Sequence, residues 1–514
     1  MAVVDAYHQL QVLVERARRD PGLPVSNPTI SSWQSVPHEF ANHQSLNLPS
    51  QVSIAVIGSG MTGISTAYHL LQEQPDLSVT VLEARSLISG ATGRNGGHCK
   101  EVPYVDYDEL KVLHGKDVAG KILRFRLAQL DALFDVAGKL APNVITESML
   151  RRVEAVDLYF DRNAFETIKI KREEWLKDFP EERDRWLVWE GEDLDEACEY
   201  LQLPKYYHSR MELTPCLQRF GSVNAIGCMT GPAGALWPYK YVGGVVSALI
   251  RARKHPNFTI ETNTPVESIV ISEESEYPYE IITSRGAIQA RCVIHCTNGH
   301  AGHLLPGLRG KLFPIRGQMT LQAVPPFFSR VGSKKSWTLH YCPGYDYITQ
   351  SPLPTGEMYL GGGLLQALLS GNVLMEDIDV GNVRDDQQSE EALNVLEGVI
   401  EERFQNGCGA RIMNKWTGIM GFTNDDLPMV GKVPSEISGR DPGRNLNNEW
   451  VAAGFNGSGM VHCWLTGKAL AEMVLHGEEN IGDWFPAKAF ACSSERHQRA
   501  SLEERIFAFM QTIA

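Results

Sequence analysis

None of the ten cysteines, at 99, 198, 216, 228, 292, 296, 342, 408, 463 and 492, forms a C-x-x-C pair. That removes the spacing of a zinc or disulfide framework and leaves reduced, mostly buried thiols as the expectation, with no metal site. No window offers the run of about 18 apolar residues that a membrane span needs. The N-terminal region has no continuous apolar core of signal-peptide type, because Glu15, Arg16, Arg18 and Arg19 interrupt the stretch around Leu10 to Leu13. The last four residues are not a peroxisomal tripeptide, so a cytoplasmic location is expected by default. Basic charge is also in deficit: the formal net charge of −14 argues against nucleic acid or an anionic membrane as main partner. Internal repeats and low-complexity segments are absent. What is left is a globular protein, 43% hydrophobic and 21% charged, whose 514 residues exceed one ordinary core and predict two or more domains, interleaved in sequence.

The informative stretch is 52–100. The apolar run 54–57 has the composition of a buried parallel strand, and Gly58, Ser59, Gly60, Met61, Thr62 and Gly63 follow it directly. Gly58 permits a tight turn, Gly60 lets a pyrophosphate approach the backbone, and Gly63 lets the helix pack closely on the strand. The helix that opens here points its unpaired N–H groups and positive dipole end at that pyrophosphate. A second strand, 78–82, ends in Glu83, twenty-five positions beyond Gly58, where a carboxylate can accept hydrogen bonds from ribose hydroxyls, followed by Ala84 and Arg85. The loop 89–98 then concentrates four glycines with Ala91, Thr92, Arg94, Asn95 and His98. It reads either as a flexible connection or as a cofactor loop. In the second reading Arg94 and backbone N–H groups contact the pyrophosphate while Gly96 and Gly97 pass close to a flavin ring.

Elsewhere the chain punctuates itself. Residues 5–19 predict a short amphipathic helix, after which Pro21, Pro24, Pro28 and Pro37 break regular structure in an arm wrapped on the first domain. Apolar spacing over 106–140, broken at Gly115, predicts two helices, and 165–189 a charged helical stretch. Residues 231–238 read as a loop leading into a helix over 241–253. Strands are expected at 152–160, 258–262, 266–272, 279–283 and 290–299, the last ending in Thr297, Asn298 and Gly299. From 313 to 363 short strands with Gly and Pro turns predict an antiparallel sheet, followed by a surface helix over 385–404. A strand at 449–453 runs into a second glycine turn, Gly454, Phe455, Asn456, Gly457, Ser458, Gly459 and Met460, and a helix. If that helix also points inward, its dipole can stabilise a reduced flavin at its pyrimidine end. Two such turns this far apart favour a long cofactor held at both ends, FAD rather than NAD.

Residues 54–83, 90–98, 297–299, 314–318, 422–431 and 454–460 resemble, in the same order, the D-amino-acid oxidase superfamily of FAD enzymes. Within it they are similar to the glycine oxidase, sarcosine oxidase and gamma-glutamylputrescine oxidase branch. The loop 91–98, ATGRNGGH, most resembles the gamma-glutamylputrescine oxidase type and related fungal oxidoreductases. The resemblance implies an α/β (α+β overall) fold in which a discontinuous Rossmann-like FAD-binding domain (51–105, 225–305, 410–480) carries a substrate domain on a mixed or antiparallel sheet (106–224, 306–409). An N-terminal arm (1–50) and a helical tail (481–514) complete the chain. It implies oxidation of an amine or amino acid by hydride transfer to flavin N5, giving an imine that water hydrolyses, with molecular oxygen as acceptor and peroxide as product. An imine or iminium formed in a larger amine-containing metabolite, and a flavin-binding protein without turnover, are the alternatives. FAD contacts are carried onto Gly58, Gly60 to Gly63, Glu83 to Arg85, Ala91, Thr92, Arg94 to His98, Val266, Thr297 to Gly299, Gly421 and Gly454 to Met460. Substrate contacts are sought at His98, Arg316, Tyr345, Tyr347, Gln350 and Trp416. Arg316 can instead pair with the protein's own carboxylates or the flavin, and the two tyrosines can be core. His340 and His462 read as structural. Met420 stands where the sarcosine oxidases carry the cysteine that binds FAD, so a covalent link there is not expected; His98 and Cys99 remain as alternatives. Tyr359 stands where they carry an oxygen-activating lysine.

Overall fold

The apolar strand at 54–57 lies at the centre of the first of two sheets. The computed structural model describes residues 2–140, 143–190, 222–252, 255–272, 276–370, 378–440, 447–497 and 499–513. The order across this sheet is Met429–Lys432, Glu449–Ala453, Gly286–His295, Gln51–Ile57, Val79–Leu82, Phe258–Glu261, with an antiparallel ribbon of Val266–Ile271 and Tyr279–Thr283 attached to Gly286–His295. Every pairing along that path except the outermost, Met429–Lys432 on Glu449–Ala453, is parallel. Parallel strands need cover on both faces, which explains their near-continuous apolar runs. Helices Met61–Glu73, Pro238–Arg251 and Cys463–His476 share one core with Val56, Val81, Ile294 and Ala452 on one side. The ribbon closes Ala55, Ile57 and Val293 on the other.

The second sheet is mixed, as expected. Its order is Arg411–Thr423, Leu312–Ala323, Met358–Gly361, Tyr345–Gln350, Lys335–His340, Arg151–Tyr159, Gly227–Ala235, His98–Cys99, with Leu187–Trp189 also on Gly227–Ala235. Gly227–Ala235 and Arg411–Thr423, drawn from segments expected in the flavin domain, run in this sheet. The expected loop over 231–238 is therefore mostly strand. Pro232 is tolerated because it falls between the stretch paired with Leu187–Trp189 and the stretch paired with His98–Cys99, where no second partner asks for its missing N–H. The two helices expected over 106–140 are three, Tyr107–His114, Lys116–Leu127 and Gln129–Lys139. Gly115 makes the first break at φ +80°. The N-terminal helix, Ala2–Arg18, packs Leu13, Val14 and Ala17 against Phe313 and Ile315 of the second sheet and Leu502 and Ile506 of the last helix, Leu502–Ile513, rather than on the first domain.

A buried ionic knot joins two central strands. Glu449 accepts from His295 Nε2 at 2.7 Å and pairs with Arg440. Burial alone would raise the Glu449 carboxyl, but His295 and Arg440 outweigh it and hold it down to about 2, against an ordinary 4.5. A depressed carboxyl contributes stability that is complete above its unfolded pKa and is lost as pH falls towards the folded one. Wild type should therefore exceed Glu449→Gln in unfolding free energy at pH 7 by an amount on the order of 3 kcal/mol. The gap should shrink below about pH 4.5; a gap constant from neutral pH to about pH 3 would refute the assignment.

Candidate active site

Three parallel strands end side by side, and each hands on a turn that needs small or left-handed residues. After Gln51–Ile57, Gly58 sits at φ +109°, where a Cβ would lie 2.6 Å from the Cys296 carbonyl oxygen. A Cβ on Gly63 would lie 2.0 Å from the Gly58 carbonyl oxygen, so the helix can lie this close to the strand only with glycine there. After Gly286–His295, Asn298 adopts φ +46°, and its side-chain oxygen accepts from Gly454 N at 3.0 Å. After Glu449–Ala453, Gly454, Asn456 and Gly457 all have positive φ. A ligand crevice at strand carboxyl ends, where the sheet order reverses, is the usual place for a dinucleotide.

The residues at this crevice fit FAD. Glu83 Oε2 accepts from Ser59 N at 3.0 Å and Ser59 Oγ at 2.7 Å, which sets its carboxylate beside the first glycine turn, and Asn263 and Thr264, just ahead of Val266, bond the backbone of Arg85 and Glu83. Thr92 Oγ1 accepts from Met61 N at 2.9 Å, across the mouth of the helix Met61–Glu73. A Cβ on Gly60 would stand 3.2 Å from that hydroxyl, so the mouth is a slot walled by backbone. Thr297 Oγ1 is buried at the same strand ends with no protein partner, a polar atom left for a ligand.

The loop 89–98 is more tightly built than its glycines imply. Ala91–Gly93 forms a short 3-10 turn. Asn95 donates to the Ala91 and Thr92 carbonyls and accepts from Gly97 N at 2.7 Å, so its amide closes the loop on itself. Gly96 O accepts from Thr349 Oγ1 at 2.6 Å; Gly97, at φ +69°, has no room for a Cβ beside the Leu236 carbonyl. Arg94, expected on the pyrophosphate, is instead spent inside the protein, donating to the carbonyls of Ser89, Thr417 and Thr29 and lying 3.6 Å from Asp385. Arg85 makes a two-pronged pair with the same Asp385, 3.0 Å on each side. Both guanidinium groups are buried, and a buried cation takes the nearest carboxylate.

Three residues sought as substrate contacts are engaged inside the protein, Arg316 in the carboxylate pairing left open for it. Arg316, sought as a substrate contact, is buried against Asp379 at 2.5 Å, and Trp416 is fully buried with its indole N–H on Arg94 O at 2.8 Å. Gln350 is buried as well, donating to the Ser329 and Gly356 carbonyls. The second glycine turn is braced from behind. Asn456 Oδ1 accepts from Thr423 N, Asn456 N donates to Gly421 O, and Cys99 Sγ donates to Met460 O at 3.4 Å. His462 Nδ1–H donates to the Ser458 carbonyl, which leaves Nε2 to accept from Arg126 Nε at 3.1 Å. The helix proper begins at Cys463, after a 3-10 turn Gly459–Val461. Burial pushes the Cys99 thiol up to about 12, so it stays protonated, and lowers the His98 ring to about 3, so it stays neutral.

Between loop and second sheet lies a polar face. Strand alternation puts Tyr345, Tyr347 and Thr349 on it, with Ser336, Thr338 and His340 opposite them on the next strand. Tyr347 stacks under Gly96 and Gly361 and donates to Met319 Sδ; His98 Nε2 is 2.9 Å from Ser336 Oγ. Tyr345 is 59% exposed at the outer end of this face. Lys100 reaches the same face, donating to Asp157 and, at 2.7 Å, to Thr338 Oγ1, with His340 stacked on Tyr159 and 3.6 Å from Asp157. Burial would raise the Asp157 carboxyl, but the Lys100 charge dominates and holds it well below the usual range. This pair is not visible in the sequence, because strand register alone brings Asp157 opposite Thr338.

Among the described residues no helix is long and apolar enough to cross a membrane. Residues 53–473 match the family model described as DAO, FAD dependent oxidoreductase. The chain is similar to the gamma-glutamylputrescine oxidoreductase of Escherichia coli (strain K12), 22% identical over 462 residues that cover 89% of this chain and 91% of the relative. Similar solved structures include glycine oxidase from Geobacillus kaustophilus, with a TM-score of 0.58, 15% identity, and 87% of this chain and 99% of that one covered. L-proline dehydrogenase from P. horikoshii gives a TM-score of 0.60, 18% identity, and 86% and 98% covered.

Proposed function

The chain belongs to the DAO family of FAD-dependent oxidoreductases, and from that premise we propose that it oxidises a carbon–nitrogen bond of an amine or amino acid. The observation that carries this reading is the meeting of three glycine- or asparagine-bearing turns at the ends of adjacent parallel strands, beside a loop that contacts a polar strand face of the second sheet. FAD, held by these turns, would supply a two-electron acceptor for the hydride of the carbon next to an unprotonated amine, and the oxidised product would be an imine that water hydrolyses. The chain's own residues bind and orient. Gly58 to Gly63 and Glu83 hold the nucleotide half, Gly96, Gly97 and Gly454 to Met460 hold the ring, and Tyr345 and Tyr347 wall the substrate recess, with His98 behind the loop. Segments 51–105, 225–305 and 410–480 are proposed as the FAD-binding domain and 106–224 and 306–409 as the substrate domain, the first group lending the strands His98–Cys99, Gly227–Ala235 and Arg411–Thr423 to the second sheet. Such sites work chiefly by orientation and electrostatics, so they need little acid–base machinery.

Similarity to an amine oxidoreductase, an amino-acid oxidase and an amino-acid dehydrogenase supports the donor class and leaves the acceptor to experiment. We propose molecular oxygen, with hydrogen peroxide as product. A panel of amines and amino acids, bulky metabolites included, mixed anaerobically with the flavoprotein should contain at least one compound that bleaches the flavin. Admitting oxygen should then restore colour and release peroxide. No bleaching by any amine would reject turnover, and bleaching without oxygen-driven recovery would reject the oxidase assignment.

A further inference from the structure

The family match begins at residue 53, yet the segment ahead of it is built into the loop that faces the flavin. Arg94 donates to Thr29 O at 2.7 Å, Arg85 to Val25 O at 3.1 Å, and Gln34 Nε2 to the Ile88 and Gly93 carbonyls. A Cβ on Gly93 would come within 2.1 Å of Gln34 Nε2, so loop and arm fit without a gap. At the centre of this contact is Trp33, 2% exposed. Its indole N–H donates to the Asn95 carbonyl, and its ring stacks on Tyr359 of the second sheet with centroids 3.6 Å apart and planes 6° from parallel. Its own carbonyl accepts from Trp237 Nε1 at 2.9 Å.

We infer that Trp33 is a positioning residue for the flavin-facing backbone, and that the arm around it is part of the cofactor site rather than a wrapping. The inference rests on the FAD reading above and goes beyond the matched family segment. The link runs through Asn95. Its carbonyl is held by Trp33 and its side chain by the Ala91 and Thr92 carbonyls, and its amide oxygen accepts the Gly97 N–H, so the indole fixes the orientation of the Gly96 and Gly97 peptide units. A ring edge also stands 3.5 Å from where a Gly97 Cβ would be, which blocks the loop from sinking towards the sheet. Tyr359 supplies the opposing plate, and Thr349 on the neighbouring strand ties Gly96 O from the same side. Aromatic plates of this kind cost little conformational entropy to order, which suits a fixed support.

Three variants test this in the full chain. Trp33→Phe keeps a smaller ring for Tyr359 and loses the indole N–H together with the second ring; Trp33→Ala loses ring and donor altogether; Tyr359→Leu removes the opposing plate. We expect FAD affinity to fall at least tenfold in Trp33→Ala and severalfold in the other two. The visible circular dichroism of the flavin at saturating FAD should change in each. Leu46→Ala, on the arm but 96% exposed, should change neither. If Trp33→Ala does not fold, the other two decide. A stability loss with wild-type FAD affinity and wild-type flavin dichroism in every variant that folds would overturn the inference and leave the arm a cover. Wild-type protein that binds no FAD would instead overturn the cofactor reading on which it rests.

Discussion

Gly63→Val should yield protein that no longer retains FAD through gel filtration, with affinity reduced on the order of 100-fold or more, equivalent to about 3 kcal/mol. The added Cβ would sit 2.0 Å from the carbonyl oxygen of Gly58 in the turn and 3.3 Å from Val56 Cγ1 on the strand that carries it. Relief must come from moving the helix Met61–Glu73 outward, and that path is closed. On its far side a Cβ at Gly467 would meet Ser65 at 2.5 Å, so the helices already touch backbone to side chain, and Ser65 Oγ donates to the Trp464 carbonyl at 2.6 Å. The strain therefore falls on the turn itself, opening the crevice and turning the first N–H groups of the helix away from the pyrophosphate. Gly63→Ala, with the same Cβ and fewer clashing atoms, should lose less. Retention of FAD by Gly63→Val at wild-type affinity would show that the turn does not hold the cofactor.

Asp385→Asn should be the most destabilising single change outside the glycine turns. One carboxylate serves two buried guanidinium groups, Arg85 through both oxygens and Arg94 at 3.6 Å, and removing it leaves both cations uncompensated. Losing one partner of a buried pair costs about 3–5 kcal/mol. The Asp385 carbonyl also accepts from Thr29 N and from the Thr29 and Thr417 hydroxyls, so its loop ties the arm to the second sheet. We expect a lower denaturation midpoint together with weaker FAD retention, because Arg85 and Arg94 bracket the Ser89 carbonyl at the start of the flavin loop. An unchanged midpoint would show that the arginines find other counter-charges. A normal FAD affinity despite the loss of stability would separate the knot from the cofactor site.

The two predictions differ in how far the sequence announces them. Gly58, Gly60, Gly63 and Glu83 are legible because turn, helix start and acidic strand end are local, and their chemistry needs only a short stretch of chain. The second turn at Gly454 is legible for the same reason. Asp385 was expected on a surface helix, whereas that helix is Glu390–Arg403 and Asp385 is buried 300 positions from Arg85. No spacing rule connects residues so far apart. Arg94 shows the complementary misreading, since an arginine in a glycine-rich loop looks available until the fold supplies it with Asp385, while Arg316 meets Asp379, the pairing with the protein's own carboxylates that its sequence left open. Lys100 meets Asp157 beside Thr338, which strand register sets opposite Asp157, and register is fixed by the whole sheet. Trp33 lies before the first recognisable strand, and nothing in its neighbourhood of prolines and serines marks it as the partner of Tyr359.

The order of strands carries a consequence for biosynthesis. Glu449–Ala453 inserts beside Gly286–His295, and its glycine turn is the last piece of the crevice to be made. On the ribosome, the first glycine turn emerges hundreds of residues earlier and must wait with half of its pocket absent. Cofactor capture is then a late event, set by completion of the nascent chain rather than by folding of its first domain. Until then the exposed edge of Gly286–His295 is open to mispairing. Yield of folded protein should thus depend on how promptly Glu449–Ala453 reaches its place beside Gly286–His295, with or without FAD present.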